Sequence, residues 1–222
     1  MFTGIIQAIG TLQSRQPWGG DVRLQVGTGV LPLGDVALGD SIATNGVCLT
    51  VVGLPAGGFV ADVSNESLEL TTLGALPPGA PLNLEKALIL NAPLGGHLVS
   101  GHVDGLGQVL ERRADARSVR LTIEAPRSLA RYIAHKGSIC VDGASLTVNA
   151  VDGCRLQLNI VPHTLGQTIM GDYQVGTRVN LEVDLVARYL ERLLLGDRAA
   201  EPEAASGGLT LDLLARSGFL KS

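Results

Sequence analysis

The chain has 222 residues, 45% of them hydrophobic and 17% charged, with a formal charge of −4, enough to bury a core in each of two ordinary domains. No apolar run reaches the roughly 18 residues that span a bilayer, and the dispersed Lys and Arg leave no electrostatic footprint for nucleic acid. Three cysteines, Cys48, Cys140 and Cys154, are an odd count without CxxC spacing, which argues against a disulfide framework and structural zinc and favours reduced thiols.

The start, Met1-Phe2-Thr3-Gly4-Ile5-Ile6, has no basic region leading into an apolar stretch and a cleavage site. A cytoplasmic location is therefore expected. Short alternating stretches at residues 22–26, 49–52, 59–63 and 82–84, separated by glycine-rich turns, predict strands. Strands this short at this spacing suggest a small barrel or a sandwich. Residues 89–98, with Pro93 and Gly95-Gly96, read as a linker. Further on, Pro126 opens an apolar stretch through Ile133 that predicts one helix, proline being favourable in a first turn. After Asp184 the period changes, because Leu185, Tyr189, Leu193 and Leu194 recur at helical spacing. The last segment, from Ala199 onward, is rich in Ala, Glu, Pro, Ser and Gly before Leu209 to Phe219 regain apolar residues. A flexible tail with a weak docking element is expected there.

A shift of 97 positions, Gly4 onto Gly101, aligns the two halves without a gap. It places Val22-Arg23-Leu24 on Val119-Arg120-Leu121, Leu49-Thr50-Val51 on Leu146-Thr147-Val148, and Asn83-Leu84-Glu85 on Asn180-Leu181-Glu182. Two homologous domains follow. Shared positions tend to hold a fold, so the polar positions at which the copies differ are the candidates for chemistry. Cys48 is matched by Ser145, Ile5 by His102, and Gly39 by Lys136.

Several bland readings compete. A lone cysteine is usually a small buried hydrophobe, and Cys140 and Cys154, matched by Ala43 and Gly57, keep that reading; Cys48, opposite a serine, favours a site role. His97 and His102 suggest a metal pair, but a strand projects positions five apart onto opposite faces and no third ligand is evident. No metal is expected, and His97 reads as linker support. Thr50 and Thr147 are good strand formers whatever else they do. The run Gly27-Thr28-Gly29-Val30-Leu31-Pro32 lacks the third glycine and the helix of a dinucleotide fingerprint and reads as a turn.

Four segments carry a resemblance: Met1 to Ile6, Asn45 to Val51, Gly95 to Asp104, and Asp142 to Val148. Together they resemble the riboflavin synthase family of lumazine-binding proteins, over about residues 1–190. One departure is Glu66-Ser67, where the family has Glu-Thr. The resemblance implies an all-β fold: two homologous small closed Greek-key β-barrels in tandem plus a C-terminal α-helix. The implied division is 1–90 and 91–184 for the barrels, 185–196 for an oligomerisation helix and 197–222 for the tail. It further implies a transferase without cofactors, acting on two molecules of 6,7-dimethyl-8-ribityllumazine to give riboflavin and 5-amino-6-(ribitylamino)pyrimidinedione.

Residue by residue, the resemblance gives each pocket a glycine-led segment (Gly4, Ile5, Ile6; Gly101, His102, Val103) and a strand start (Cys48, Leu49, Thr50; Ser145, Leu146, Thr147). A further strand adds Asp62, Val63, Ser64, Asn65, Glu66 and Ser67 in one half, and Asn159, Ile160, Val161, Pro162, His163 and Thr164 in the other. Lys136 is expected to contact the second substrate. Ser41, Cys48, His102 and Asp184 match activity-sensitive positions, where a hydroxyl, thiol or imidazole suits proton transfer or nucleophilic addition. A homotrimer with sites between subunits is implied, with lumazine synthase as a candidate partner. Two other classes compete. A non-catalytic lumazine or flavin carrier needs only one good pocket, and a flavin reductase needs a nicotinamide domain for which the chain leaves no room.

Overall fold

The computed structural model describes residues 1–200. In strand β1 (Ala8–Trp18), Ala8, Gly10 and Leu12 are buried while Ile9, Thr11 and Gln13 face outward, the two-residue period of a strand with one face on a core. With β2 (Asp21–Gly27), β3 (Ser41–Thr44), β4 (Val47–Gly53), β5 (Gly58–Val63) and β6 (Pro81–Lys86) it forms a closed barrel in the order β1-β2-β5-β4-β3-β6. The jump from β2 to β5 is a Greek-key crossing. A second closed barrel repeats the order with β7 (Gly105–Asp115), β8 (Ser118–Glu124), β9 (Ser138–Val141), β10 (Ala144–Asp152), β11 (Arg155–Ile160) and β12 (Arg178–Val183).

The duplication extends to the irregularities. β1 slips against β2 between Leu12 and Ser14, and β7 against β8 between Val109 and Glu111; β4 and β10 slip at the equivalent places, Val51/Gly53 and Val148/Ala150. Bulges bend a strand and help a sheet close. Inside the first barrel Leu24, Val26, Phe59, Ala61, Leu82 and Leu84 are fully buried, and Leu121, Ile123, Leu156, Leu158, Val179 and Leu181 take the same places in the second. Each such side chain contributes roughly 1.5–3 kcal/mol. Phe59 with Ala61 becomes Leu156 with Leu158, a redistribution of volume that a packed core tolerates.

The barrels meet at their matched hairpins. Asn45-Gly46 and Asp142-Gly143 all have positive φ, at 47, 78, 42 and 84°, as a two-residue type I′ turn requires. These turns lie so close that a Cβ on Gly46 would stand 2.7 Å from the Gly143 nitrogen. Across the contact, the Asn83 amide donates to the Asp142 carbonyl at 2.8 Å and the Asn180 amide to the Asn45 carbonyl at 2.7 Å. Each asparagine also accepts from the other barrel, Asn83 from the Ile169 N–H and Asn180 from the Thr72 N–H, both at 2.8 Å. Buried amides fully used in this way fix one relative placement of the barrels.

Three expectations are corrected. The helix expected from Pro126 to Ile133 is a single 3-10 turn, Ala130–Tyr132, and Ile133 is already extended; only Leu129 and Ile133 are buried hydrophobics in its apolar part, so one turn suffices to seat them. The strands expected through Ser67 and Thr164 end at Val63 and Ile160 and turn into short helices, α1 (Asn65–Leu70) and α2 (Pro162–Gln167). Ser64 caps α1, its hydroxyl accepting from the Ser67 N–H at 3.2 Å, and Pro162 occupies the first turn of α2.

Helix α3 (Leu185–Leu195) begins a separate unit. Its Val186, Tyr189, Leu190 and Leu193 are exposed. No helix among the described residues is long and apolar enough to cross a membrane. Residues 201–222, most of the expected tail, lie outside the described residues.

At one point the symmetry fails with an electrostatic consequence. Asp142 stands where the first barrel has Asn45; its carboxylate accepts from the Asn180 N–H at 2.7 Å and from the Tyr173 hydroxyl, and burial pushes its pKa up to about 7 against those bonds. A carboxyl whose pKa is raised by folding stabilises the fold fully at low pH and loses that contribution as pH rises through the folded value. Asp142→Asn, the arrangement of the sister barrel, should therefore melt progressively higher than the parent between about pH 4 and 7. Differential scanning calorimetry should show the gap widening by several degrees, since about 1 kcal/mol moves Tm by roughly 2–4 °C at this size; a gap independent of pH would refute it.

Candidate functional site

Two buried glutamates organise the site. At the end of β6, Glu85 accepts from the Thr3 N–H at 2.7 Å, the Gly4 N–H at 2.9 Å and the Thr3 hydroxyl at 2.6 Å. Its repeat partner at the end of β12, Glu182, accepts from the N–H groups of Ser100, Gly101 and His102 at 2.6, 3.0 and 3.1 Å. Burial raises both carboxyl pKa values, that of Glu182 to about 7, while the bonds to the charged form oppose the rise. Neither residue was among the expected site positions, although the duplicated Asn-Leu-Glu carried the signal.

Held by these carboxylates, the glycine-led segments cross to the opposite barrel. The Gly4 carbonyl accepts from the Ser145 N–H at 2.7 Å, and the Gly101 carbonyl from the Cys48 N–H at 2.8 Å. Ile6 packs on the core of the second barrel and Val103 on that of the first. The expected grouping within each half is thereby corrected: Gly4, Ile5 and Ile6 lie with Ser145, Leu146 and Thr147, whereas Gly101, His102 and Val103 lie with Cys48, Leu49 and Thr50. The crossing demands glycine at its pivots. Gly4 and Gly101 have φ of 76 and 80°, and a Cβ there would approach the Ser145 Cβ to 2.6 Å and the Cys48 Cβ to 2.7 Å.

The remaining expected positions divide into surface and core. Thr50, Thr147, His102, Glu66, Val161, Pro162 and His163 are exposed, while Leu49, Val63 and Ile160 are core residues that offer only backbone groups to a ligand. Leu146, Ser67 and Thr164 are half-buried. Asn65 is turned away, its amide donating to the Gly20 carbonyl at 2.7 Å, and the Ser64 hydroxyl pairs with that of Ser67 at 3.0 Å.

Asp62 is clamped by Arg23 through two bonds of 2.6 and 2.8 Å, which hold its carboxyl below the usual range. Arg23 stacks in turn over Trp18, 3.7 Å from the ring centre. Asn159, the counterpart of Asp62, has a buried side-chain oxygen without a hydrogen-bond partner, an acceptor available to a ligand's N–H. Ser41 pairs in register with Thr50 and lines a cavity of about 620 Å³ together with Ile5, Lys86, Ala87 and Pro93. Asp184, half-buried, follows β12 directly.

Lys136 is exposed with φ of 65°, where the sister barrel has Gly39 at 93°; both N–H groups bond the equivalent strand, to Val148 and Val51 at 2.8 Å. The left-handed backbone costs a lysine about 1–2 kcal/mol, so a side chain is kept where glycine would relax the turn. His97, read from sequence as linker support, instead bonds the Ser145 hydroxyl through Nδ1 at 2.7 Å. Among the described residues no three His, Cys, Asp or Glu side chains group in a way that could hold a metal ion.

Tandem barrels with crossed glycine segments and duplicated strand starts define a two-barrel small-molecule-binding protein. Residues 3–87 and 100–184 each match the lumazine binding domain family. Riboflavin synthase of Photobacterium phosphoreum is 48% identical over 220 residues, 99% of this chain and 100% of that protein; the Bacillus subtilis riboflavin synthase is 36% identical over 219 residues, again 99% and 100%. The crystal structure of LumP complexed with riboflavin superposes with a TM-score of 0.75 at 24% identity, covering 82% of this chain and 99% of that one, a likeness of fold. The chain belongs to the riboflavin synthase family of tandem lumazine-binding barrels.

The crossing can be tested at its pivot. Gly101→Ala and Gly19→Ala both meet a left-handed backbone, but only the first drives a Cβ into neighbours, since nothing lies within 4 Å of Gly19. Gly19→Ala should cost about 1–2 kcal/mol and Gly101→Ala clearly more, read as urea midpoints. Equal midpoints would mean that the segment can leave Cys48 without loss.

Proposed function

We propose that this chain is a cytoplasmic riboflavin synthase, a transferase that binds two molecules of 6,7-dimethyl-8-ribityllumazine and moves a four-carbon unit between them. The products are riboflavin and 5-amino-6-(ribitylamino)pyrimidinedione. The observation that carries this reading is the duplication of the crossed site with unequal chemistry: Cys48 beside Gly101, His102 and Val103, and Ser145 beside Gly4, Ile5 and Ile6. A reaction joining two identical molecules calls for two similar pockets, and holding the partners in register contributes on the order of 7–11 kcal/mol. The lumazine ring is electron-poor and delocalises an anion formed at its 7-methyl group, so the proposed reaction runs without an added cofactor.

In this reading the backbone at the strand starts and at β5 and β11 bonds the pyrimidinedione edges, with Asn159 supplying an acceptor. Lys136 contacts the substrate of the Ser145 pocket. Ser41, Cys48, His102 and Asp184 serve proton transfer and addition at the ring. Each complete site forms between the first barrel of one subunit and the second barrel of another in a homotrimer. The exposed face of Val186, Tyr189, Leu190 and Leu193 on α3 supports that assembly. Lumazine synthase, as the source of the substrate, is a candidate partner of the trimer.

Purified protein given only the lumazine should develop riboflavin fluorescence; binding without turnover would instead make it a carrier. Cys48→Ala and His102→Ala should each depress turnover at least tenfold while Tm changes little, and parental rates in both would remove these residues from the mechanism. Truncation before Leu185, keeping Asp184, should lower the mass in solution and abolish turnover while ligand binding persists. A truncated trimer with normal turnover would discard the role of α3.

A further inference from the structure

The riboflavin synthase reading gives Ser145 a place beside the substrate, and on that reading rests a role for a residue outside every expected set. We propose that His97 is a positioning residue that fixes the Ser145 hydroxyl, so that one of the two pockets carries an oriented hydroxyl and the other, at Cys48, a thiol set in apolar surroundings. The imidazole Nδ1 stands 2.7 Å from the Ser145 Oγ. The ring has little freedom, since His97 is only 9% exposed and its N–H bonds the Thr3 carbonyl at 3.2 Å. The preceding residue is equally confined: a Cβ on Gly96 would lie 2.1 Å from the Thr3 carbonyl oxygen and 2.7 Å from the Ser145 Cβ. Segment, ring and hydroxyl thus form one packed stack against the start of β10.

The far side of the ring distinguishes a functional from a structural histidine. Nε2 is buried without a hydrogen-bond partner, a burden that a leucine of similar volume would not carry. Burial lowers the imidazole pKa, and the Asp184 carboxylate pulls it the other way. The neutral ring can either donate to or accept from the serine, and in both cases it selects one rotamer of the hydroxyl. Cys48 contrasts with this, packing against the apolar cluster of Phe2, Ala43, Val99 and Cys140. The two pockets therefore differ in how firmly the varied side chain is aimed, as well as in its identity.

A double-mutant cycle tests the coupling. His97→Leu removes the bond at similar volume, His97→Asn returns an amide near the position of Nδ1, and Ser145→Ala removes the partner. With the lumazine as substrate, His97→Leu should lower kcat about tenfold, the fold-change expected of one hydrogen bond of ordinary strength, with KM changed less than about threefold. His97→Asn should recover most of that loss. In the Ser145→Ala background, His97→Leu should cost less than about twofold, whereas with Cys48→Ala its effect should remain undiminished. An equal loss with and without Ser145, or no loss at all, overturns the proposal. Should His97→Leu fail to fold, His97→Ala takes its place in the cycle, and a His97→Asn no better than His97→Ala, or a His97→Ala loss equal with and without Ser145, contradicts positioning. If the parent protein makes no riboflavin, the function fails separately; the same cycle read as riboflavin affinity by fluorescence quenching then decides the coupling, and additive losses reject it.

Discussion

A carboxylate that is buried and yet surrounded by backbone N–H groups sits at the origin of this architecture. Glu85 and Glu182 each gather a segment that has no strand partner of its own in that half, and satisfy two or three of its donors at once. A bond to an ionised acceptor contributes about 1.5–3 kcal/mol, enough to hold a short segment against its conformational entropy. Burial works against the same charge, which is why both carboxyl pKa values are raised. Once held, the segment can only run past its own barrel, and its carbonyl meets the strand start of the other. The crossing of the two segments follows from the clamp.

Around that clamp, the molecule is a symmetric frame with a few unsymmetric insertions. The turn contact at Gly46 and Gly143, the reciprocal asparagines and the paired bulges are the same in both halves, and they set the relative placement of the barrels. The departures fall on polar groups: Cys48 against Ser145, Gly39 against Lys136, Asp62 clamped by Arg23 against Asn159 with a spare acceptor, Asn45 against Asp142. Cys48 and Ser145 lie beside the crossed glycine segments, and Asn45 and Asp142 lie in the contact between barrels. None of these positions belongs to the core inside a barrel, whereas there Phe59 and Ala61 changed together.

Much of this was legible in the amino-acid sequence. The gapless register of 97 residues revealed two homologous halves, and alternation placed four of the first barrel's six strands. What the sequence hid has physical reasons. The resemblance carried strand on past β5 and β11, but Ser64 as a cap and Pro162 in a first turn redirect the chain, and single-turn helices leave almost no periodic signal. The Pro126 segment looked helical because its apolar spacing fits one turn, and one turn is all it makes. Crossing of the glycine segments could not be read locally, since it depends on partners 53 to 141 residues apart (Gly101 to Cys48, Ser145 to Gly4). His97 was missed for the same reason: its meaning lies in Ser145, not in its neighbours.

Crossing also changes what duplication means for a reaction between two identical molecules. Had each half built its pocket alone, the two sites would be independent copies, free to drift apart in orientation as the linker flexed. Here each glycine segment bonds the strand start of the other half, so a displacement of one barrel would disturb both crossings together and would break the Asn83 and Asn180 bonds as well. In the proposed trimer, coupling of this kind presents each ring in a fixed orientation to the pocket that another subunit places against it, where a 1 Å error can cost on the order of 10²-fold in rate. The buried asparagines and carboxylates thereby tie the geometry of one crossing to that of the other.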